Sequence, residues 1–208
     1  MKGRLYLLAL LTWCTIFHAC ALEGFSVEPV SKALARRMRE GGSYPEDCPI
    51  PLSDLRHVCV RHWNMEGHET TGELVCNALI ADDLRDIFEE LYLAHYPIHS
   101  VRLIDDFGAD DDASMAANNT SAFCYRNVAG TQSLSCHARG LAIDINPKDN
   151  PVAKPRTKGG PIPKTPHVIN EQDACYKAFR KRGFTWGGHW RSLKDYQHFE
   201  RRGGRKRI

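Results

Sequence analysis

The sequence predicts one α+β domain, in which a small antiparallel sheet is flanked by helices. Short alternating runs that are typical of strands are mixed along the chain with two or three amphipathic stretches that are typical of helices. The chain has 208 residues, which suggests a single domain with a sizeable core, and no internal repeat is visible.

The first half of this domain contains the clearest helix, at residues 80–95, which Pro97 ends. Acidic residues near its beginning support this prediction, because they interact favourably with the positive end of the helix dipole. Alternation predicts a strand before it at residues 57–62, and a short apolar run predicts a second at residues 74–76. The apolar residues on one face of the helix are Leu84, Ile87, Phe88 and Leu91.

Two stretches of this half are less regular. Residues 22–47 carry a modest amphipathic run and a Gly-Gly break, and we interpret them as a leader to the domain. Residues 98–104 predict a further strand, and residues 105–121 predict an acidic loop without periodicity. We therefore place the domain at residues 48–200.

In the second half, residues 141–146 alternate strictly and predict a half-buried strand. This strand directs the carboxylate of Asp144 away from its main apolar face. Residues 147–168 are rich in proline and predict a long loop or lid. Asn170 is then placed to cap the last helix.

The N-terminus, residues 1–21, has the pattern of a secretory signal peptide. Lys2 and Arg4 precede an apolar run, and Ala19-Cys20-Ala21 has the small-x-small form of a cleavage site. The run is too short to span a bilayer as a mature helix. We therefore expect a periplasmic or extracellular protein without a stable membrane span, with a single-span anchor or lipid attachment at Cys20 as alternatives.

Charge and cysteine content narrow the class of protein further. Beyond residue 21 there remain 26 Lys and Arg against 25 Asp and Glu, and this balance in an exported chain argues against a nucleic acid partner. Residues 201–208 form a basic tail that either touches anionic wall polymers or phospholipid, or is a disordered solubilising end. We expect a monomer.

The cysteines that could form up to three disulfides are Cys48, Cys59, Cys76, Cys124, Cys136 and Cys175.

The candidate metal ligands lie between His137 and His198 in the sequence. His137 stands seven residues before Asp144, and His198 offers a third ligand late in the chain. Two imidazoles and one carboxylate suit Zn2+, and three protein ligands leave the open position that a catalytic zinc needs. On spacing alone the pattern is a weak hypothesis, since such spacings are common.

A longer motif strengthens the hypothesis. Ser-x-His-x-x-Gly-x-Ala-x-Asp at residues 135–144, Trp-Gly-Gly-x-Trp at 186–190 and Asp-x-x-His at 195–198 resemble the zinc D-alanyl-D-alanine carboxypeptidase and L-alanyl-D-glutamate endopeptidase family, which shares its fold with Hedgehog signalling domains. The likeness covers roughly residues 48–200. Further landmarks that resemble the family are Gly72 to Val75, Asn118 to Phe123, Tyr125-Arg126, Asn146-Pro147 and Asn150-Pro151.

The resemblance implies a role for each matching residue. The implied zinc ligands are His137, Asp144 and His198. Asp195 stands where the family keeps its general base, and Glu200 is a local rival whose plainer interpretation is a surface ion pair. Arg126 matches an arginine that faces substrate, where it would hold a stem-peptide carboxylate or the developing oxyanion, with a structural salt bridge as the alternative.

Other residues near the motif are assigned more loosely. Ser135 is a candidate for binding substrate or for orienting a zinc ligand. Trp186 and Trp190 are interpreted as packing under the site rather than as a platform for sugars. We do not assign His189. A second metal cluster at His57, His62 and His68 is disfavoured by its irregular spacing.

The function that the resemblance implies is zinc-dependent hydrolysis of peptide bonds in peptidoglycan stem peptides. Asp195 in place of glutamate, together with Asn118 to Phe123, looks closer to the endopeptidase branch than to the carboxypeptidase branch. Two alternatives remain from other classes of protein. One is a zinc-containing wall-binding module without catalysis, and the other is a wall anchor that works through the basic tail.

Overall fold

The structure is a computed structural model that describes residues 22–128, 130–153 and 167–202. The predicted signal peptide, most of the proline-rich loop and residues 203–208 lie outside these ranges. Within them, no helix is long and apolar enough to cross a membrane.

The largest sheet contains three antiparallel strands in the order β1-β2-β3. They are β1 (Ser26–Pro29), β2 (Leu55–Trp63) and β3 (Glu69–Asn77). The predicted strands at 57–62 and 74–76 are therefore confirmed, and each extends beyond the predicted residues. One face of β2 buries Val58 and Val60 completely.

Helix α2 (Ala78–Leu93) packs on this sheet and confirms the helix predicted at residues 80–95. Asn77 begins it, because its side chain accepts a hydrogen bond from the backbone N–H of Leu79. Burial of each large apolar side chain on its inner face contributes about 1.5–3 kcal/mol. Those side chains are Ile80, Leu84, Ile87, Phe88 and Leu91.

The segment at residues 22–47, which we interpreted as a leader, is part of the folded body. Strand β1 pairs with β2, and α1 (Lys32–Gly41) begins at Ser31, whose side chain accepts from the N–H of Leu34. Leu34 and Met38 are buried in a second apolar cluster. The domain therefore begins well before residue 48.

Residues 105–121 are not the irregular loop that we predicted. They contain a 3₁₀ turn, helix α3 (Asp111–Ala116) and strand β5 (Asn119–Thr120), which pairs in parallel with β4 (Ser100–Val101). A polar contact rather than an apolar face begins α3: the side chain of Asp110 caps the helix by accepting a hydrogen bond from the backbone N–H of Ala113. Such short elements held by caps leave no hydrophobic period to detect.

A second small sheet has the order β6-β10-β8, and its strands are β6 (Ala142–Asp144), β8 (Thr185–Trp186) and β10 (His198–Glu200). Beside it, β7 (Val152–Ala153) pairs with β9 (Lys194–Asp195). Helix α4 (Ala174–Lys181) covers the sheet, and Phe179 stacks on Phe199 with ring centroids 4.2 Å apart. Asp173 caps α4, so the cap predicted at Asn170 is wrong.

The disulfides that the cysteine content allows do not form among the described residues. All six cysteines of these ranges, Cys136 included, are free. Cys76 and Cys175 are fully buried among apolar residues, and burial raises the pKa of both thiols above the usual value. They pack as small apolar side chains.

The basic tail begins later than predicted. Arg201 is buried, and its Nη1 lies 2.6 Å from Asp83 Oδ2 on α2. Its backbone N–H also donates to the carbonyl of Leu141. Arg201 therefore belongs to the folded body.

Candidate metal centre

The pairing of β6 with β10 brings two of the predicted ligands together, because the register places His198 opposite Asp144. His137 lies in the 3₁₀ turn His137–Arg139 just before β6. Gly140 ends this turn with φ +66°, and a Cβ there would lie 2.6 Å from the backbone nitrogen of Asn77. Only glycine fits both the positive φ and the close approach, which explains why it follows His137 in the motif.

The three predicted ligands converge. Candidate ligand atoms of His137, Asp144 and His198 all lie within 4.8 Å of one another. His198 Nδ1 is 3.0 Å from Asp144 Oδ1, and His137 Nε2 is 3.2 Å from His198 Nδ1. The three residues are 4%, 4% and 6% exposed, so the cluster is built into the interior.

Each imidazole is held by its outer nitrogen. His137 Nδ1–H donates to the carbonyl of Ala122 at 2.6 Å, which leaves Nε2 to face the cluster. His198 presents Nδ1 to the cluster, while its Nε2 lies 3.3 Å from Glu200 Oε2. Metal-binding histidines are typically fixed in this way by a carbonyl or a carboxylate, which sets the tautomer and the ring orientation.

The electrostatics of the cluster favour a bound cation. Burial alone would raise the pKa of Asp144, but the charges and hydrogen bonds of His137 and His198 hold it below its usual value. Burial opposes a charged His198, yet hydrogen bonds to Asp144 and Glu200 raise its pKa to about 10. A metal would replace the proton that His198 holds, so metal binding and proton release are coupled here.

Asp195 lies on β9, beside this cluster. Its burial, and next the negative charge of Asp144, raise the pKa of Asp195 to about 7. Within the described ranges, Asp195 Oδ1 is buried without a hydrogen-bond partner. Buried polar atoms are usually paired, so this carboxylate oxygen remains available to accept a hydrogen bond or a proton.

The Trp-Gly-Gly motif positions Asp195. A Cβ on Gly187 would lie 2.5 Å from the Asp195 carbonyl oxygen, and one on Gly188 would lie 2.3 Å from the Trp186 ring. Gly187 therefore lets the turn pack directly against β9, and Gly188 leaves room for the Trp186 ring. Trp186 is buried, and the ring of Trp190 lies 5.1 Å from that of His198, which agrees with packing roles.

Arg126 forms an ion pair, with Nη2 2.8 Å from Asp111 Oδ2 on α3. The salt bridge that we gave as an alternative is therefore present. Its Nε is nevertheless buried without a hydrogen-bond partner in the described part of the chain. The pair thus leaves one donor of the guanidinium for another acceptor. Sequence reasoning missed Asp111, because it lies in the segment interpreted as a loop.

Ser135 is buried, and its Oγ accepts a hydrogen bond from the backbone N–H of His137 at 3.2 Å. Of its two predicted roles, this contact favours orienting the ligand over binding substrate.

Glu200 is 6% exposed and is not the surface residue of the plainer interpretation. It lies between His198 and Arg202, whose Nε is 2.8 Å from Glu200 Oε1. Burial opposes ionisation, but the hydrogen bonds to His198 and Cys136 lower the pKa of Glu200 to about 2. Its contact suits it to orient His198 rather than to act as the base. The contact between Glu200 and His198 could have been predicted from the sequence, since residues two apart on a strand share a face.

The other histidines of the described ranges lie outside the centre. Among the described residues, the His137, Asp144 and His198 set is the group of three or more candidate ligands close enough to hold one ion. His62 Nδ1 contacts the carbonyl of Ile98, and His189 Nε2 lies 2.9 Å from Glu171 Oε1 at the surface.

Comparison with known proteins agrees with this geometry. The model of a family described as D-alanyl-D-alanine carboxypeptidase matches residues 129–201. The matched region contains the three candidate ligands and Asp195, whereas Arg126 and Asp111 precede it. No curated protein and no solved structure matches the chain. The match supports the family that the motif predicts and a peptidase of the D-alanyl-D-alanine carboxypeptidase kind.

Proposed function

We propose that this chain, whose residues 129–201 belong to the D-alanyl-D-alanine carboxypeptidase family, is an exported zinc-dependent peptidase that hydrolyses peptide bonds in peptidoglycan stem peptides. The observation that carries the proposal is the buried convergence of His137, Asp144 and His198. A purely structural role would not require two imidazoles and a carboxylate to face one point in the interior.

The donor set fits zinc. Two nitrogen ligands and one oxygen ligand, each supported by a further hydrogen bond, are typical of catalytic zinc sites, which keep a fourth position open. When bound, zinc would supply a Lewis acid that polarises the scissile carbonyl and lowers the pKa of a water molecule toward ~7. Gln197 adds support to the carboxylate, with its Nε2 3.4 Å from Asp144 Oδ2.

Asp195 is the proton carrier in this proposal. A pKa of about 7 leaves its carboxylate able to accept a proton from the attacking water and to return it to the departing amine near neutral pH. The unpartnered Oδ1 is the atom available for both transfers. Glu200 is already engaged by His198 and Arg202, which argues against it as the base.

Arg126 is the proposed anchor for substrate. Its buried, unpartnered Nε–H offers a charge-assisted hydrogen bond to a carboxylate of the stem peptide or to the oxyanion that develops during attack. Asp111 holds the guanidinium through Nη2. This arrangement favours an anionic peptide as substrate.

The proposal is tested by incubating the mature protein with purified muropeptides, with and without a chelator, and measuring product masses. Loss of a single terminal alanine would identify a carboxypeptidase, and release of the peptide beyond L-alanine would identify an endopeptidase. Chelation should abolish either product, and added zinc should restore it. Zinc binding without any product, by a chain that still binds wall sacculi, would instead identify the catalytically inactive wall-binding module.

A further inference from the structure

A second group of reactive side chains lies on the large sheet, apart from the residues of the metal centre. Cys59 is in the middle of β2, with Ser26 of β1 and Glu73 of β3 as its neighbours across the strands. It is partly exposed, and its thiol is free.

His57 lies two residues before Cys59 and on the same face of β2. Its Nε2 is 3.8 Å from Cys59 Sγ and 2.8 Å from Glu73 Oε2. A carboxylate oxygen accepts, so the proton must lie on Nε2, where it also faces the sulfur. An imidazole placed in this way stabilises the thiolate rather than the thiol.

The far side of Glu73 is fixed by helix α1. Arg37 Nη1 lies 2.5 Å from Glu73 Oε1, and Arg37 Nη2 lies 2.5 Å from Asp106 Oδ1. Because Arg37 occupies one carboxylate oxygen, His57 meets the other, and the position of the ring is defined from both sides. The groups that face the sulfur are therefore Ser26 from β1, His57 from β2 and Glu73 from β3, with Arg37 from α1 behind Glu73.

We propose that Cys59 is a nucleophilic thiolate, held by His57, that takes small disulfide compounds as its substrates. The Cys59 sulfur attacks one sulfur of the compound, a new S–S bond forms, and the original S–S bond breaks. The second sulfur leaves as a thiolate and takes a proton from solvent. The compound is reduced while Cys59 is oxidised, so no further oxidant is needed.

The other cysteines provide the contrast. The hydrogen bond from His57 lowers the pKa of the Cys59 thiol, although partial burial opposes this. Burial raises the pKa of Cys48, which is also partly exposed but has no imidazole contact among the described residues. Cys48 is therefore an internal reference for an unactivated thiol in the same molecule.

The experiment exposes the mature protein to oxidised glutathione at pH 7, quenches with acid at intervals and measures each mixed disulfide by peptide mass spectrometry. Cys59 should react at least about tenfold faster than Cys48. His57→Gln should reduce the Cys59 rate about tenfold and leave Cys48 unchanged. His68→Gln, at an exposed position on the β2–β3 turn, is the matched control and should change neither rate.

Equal rates at Cys59 and Cys48, or a Cys59 rate indifferent to His57→Gln, would overturn the proposal. If His57→Gln does not fold, the pH dependence of the wild-type rates decides. The Cys59 rate should level off at a lower pH than the Cys48 rate, and parallel pH profiles would contradict the assignment. Peptidase activity is not part of this measurement, so its outcome is independent of the proposed function.

Discussion

Asp111 Oδ2 lies 2.8 Å from Arg126 Nη2, and this ion pair joins helix α3 to the segment that leads into the metal centre. The two side chains are 31% and 27% exposed, so the pair is only partly shielded from water. Asp111 also contributes to raising the pKa of Asp195, behind burial and the charge of Asp144. One carboxylate of α3 therefore acts on both the proposed substrate anchor and the proposed base.

Removing this carboxylate should weaken substrate binding more than turnover. Asp111→Asn leaves the guanidinium without its charged partner, and charged hydrogen bonds contribute about 1.5–3 kcal/mol. We expect KM for a stem peptide to rise about tenfold, with a smaller change in kcat. Asp112→Asn, at the next and more exposed position of α3, is the control in the same steady-state assay. Identical kinetics for the two variants would show that Asp111 does not position Arg126.

Asp195→Asn should separate catalysis from metal binding. The amide cannot accept the proton of the attacking water, so kcat should fall by about 10²–10⁴. Zinc content, measured on the same preparation by atomic emission, should stay equal to that of the wild type because Asp195 is not one of the three convergent residues. Full activity in this variant would move the role of base to another group.

Glu200 should determine zinc affinity rather than proton transfer. Glu200→Gln keeps an acceptor for His198 Nε2–H but loses the charge, whereas Glu200→Ala loses both. Loss of such a supporting partner typically costs 10–100-fold in metal affinity. We expect a modest loss of zinc affinity for Glu200→Gln and a larger loss for Glu200→Ala, both measured by competition with a chromogenic chelator. Glu171→Gln, at an exposed position, should have no effect.

The His57–Glu73 pair should make stability depend on pH. Hydrogen bonds to Cys59 and Glu73 raise the pKa of His57 to about 9. The contribution of His57 to the free energy of unfolding is therefore complete below pH 6.5 and is lost as pH rises through about 9. The hydrogen bond to His57 and the pairing with Arg37 lower the pKa of Glu73 to about 2, against burial. Its contribution is complete above pH 4.5 and is lost as pH falls through about 2.

Both contributions are present together between pH 4.5 and 6.5. In that window, His57→Gln should lower the free energy of unfolding by about 1 kcal/mol, since the pair is partly exposed to solvent. The difference should shrink above pH 9. Urea titrations of both proteins at pH 5.5 and pH 9.5 measure it, and a constant difference would remove His57 from the pH dependence.

The elements whose apolar residues recur at a regular spacing could be predicted from sequence. Helix α2 and the central strand β2 of the large sheet each bury one face, so their apolar residues recur at the expected spacing. The three candidate ligands were found for a different reason, because chemistry requires those residue types in a recognisable motif.

The remainder depends on contacts between distant segments. Helix α3 has six residues and is held by the Asp110 cap, so it carries no periodic signal. Strand β1 is stabilised by pairing with β2 across the intervening helix α1, which no local pattern reveals. The role of Asp111 follows from its pairing with Arg126, which only the fold brings near, and the same holds for the contact between His57 and Glu73.

Zinc-edge anomalous diffraction from crystals of the wild-type protein grown with zinc would show whether the three residues share one ion. We expect one peak per chain, in contact with His137 Nε2, His198 Nδ1 and the Asp144 carboxylate, and no peak at this position in crystals of His198→Ala. An absence of zinc between these three side chains in the wild type, or a peak retained in the variant, would contradict this expectation.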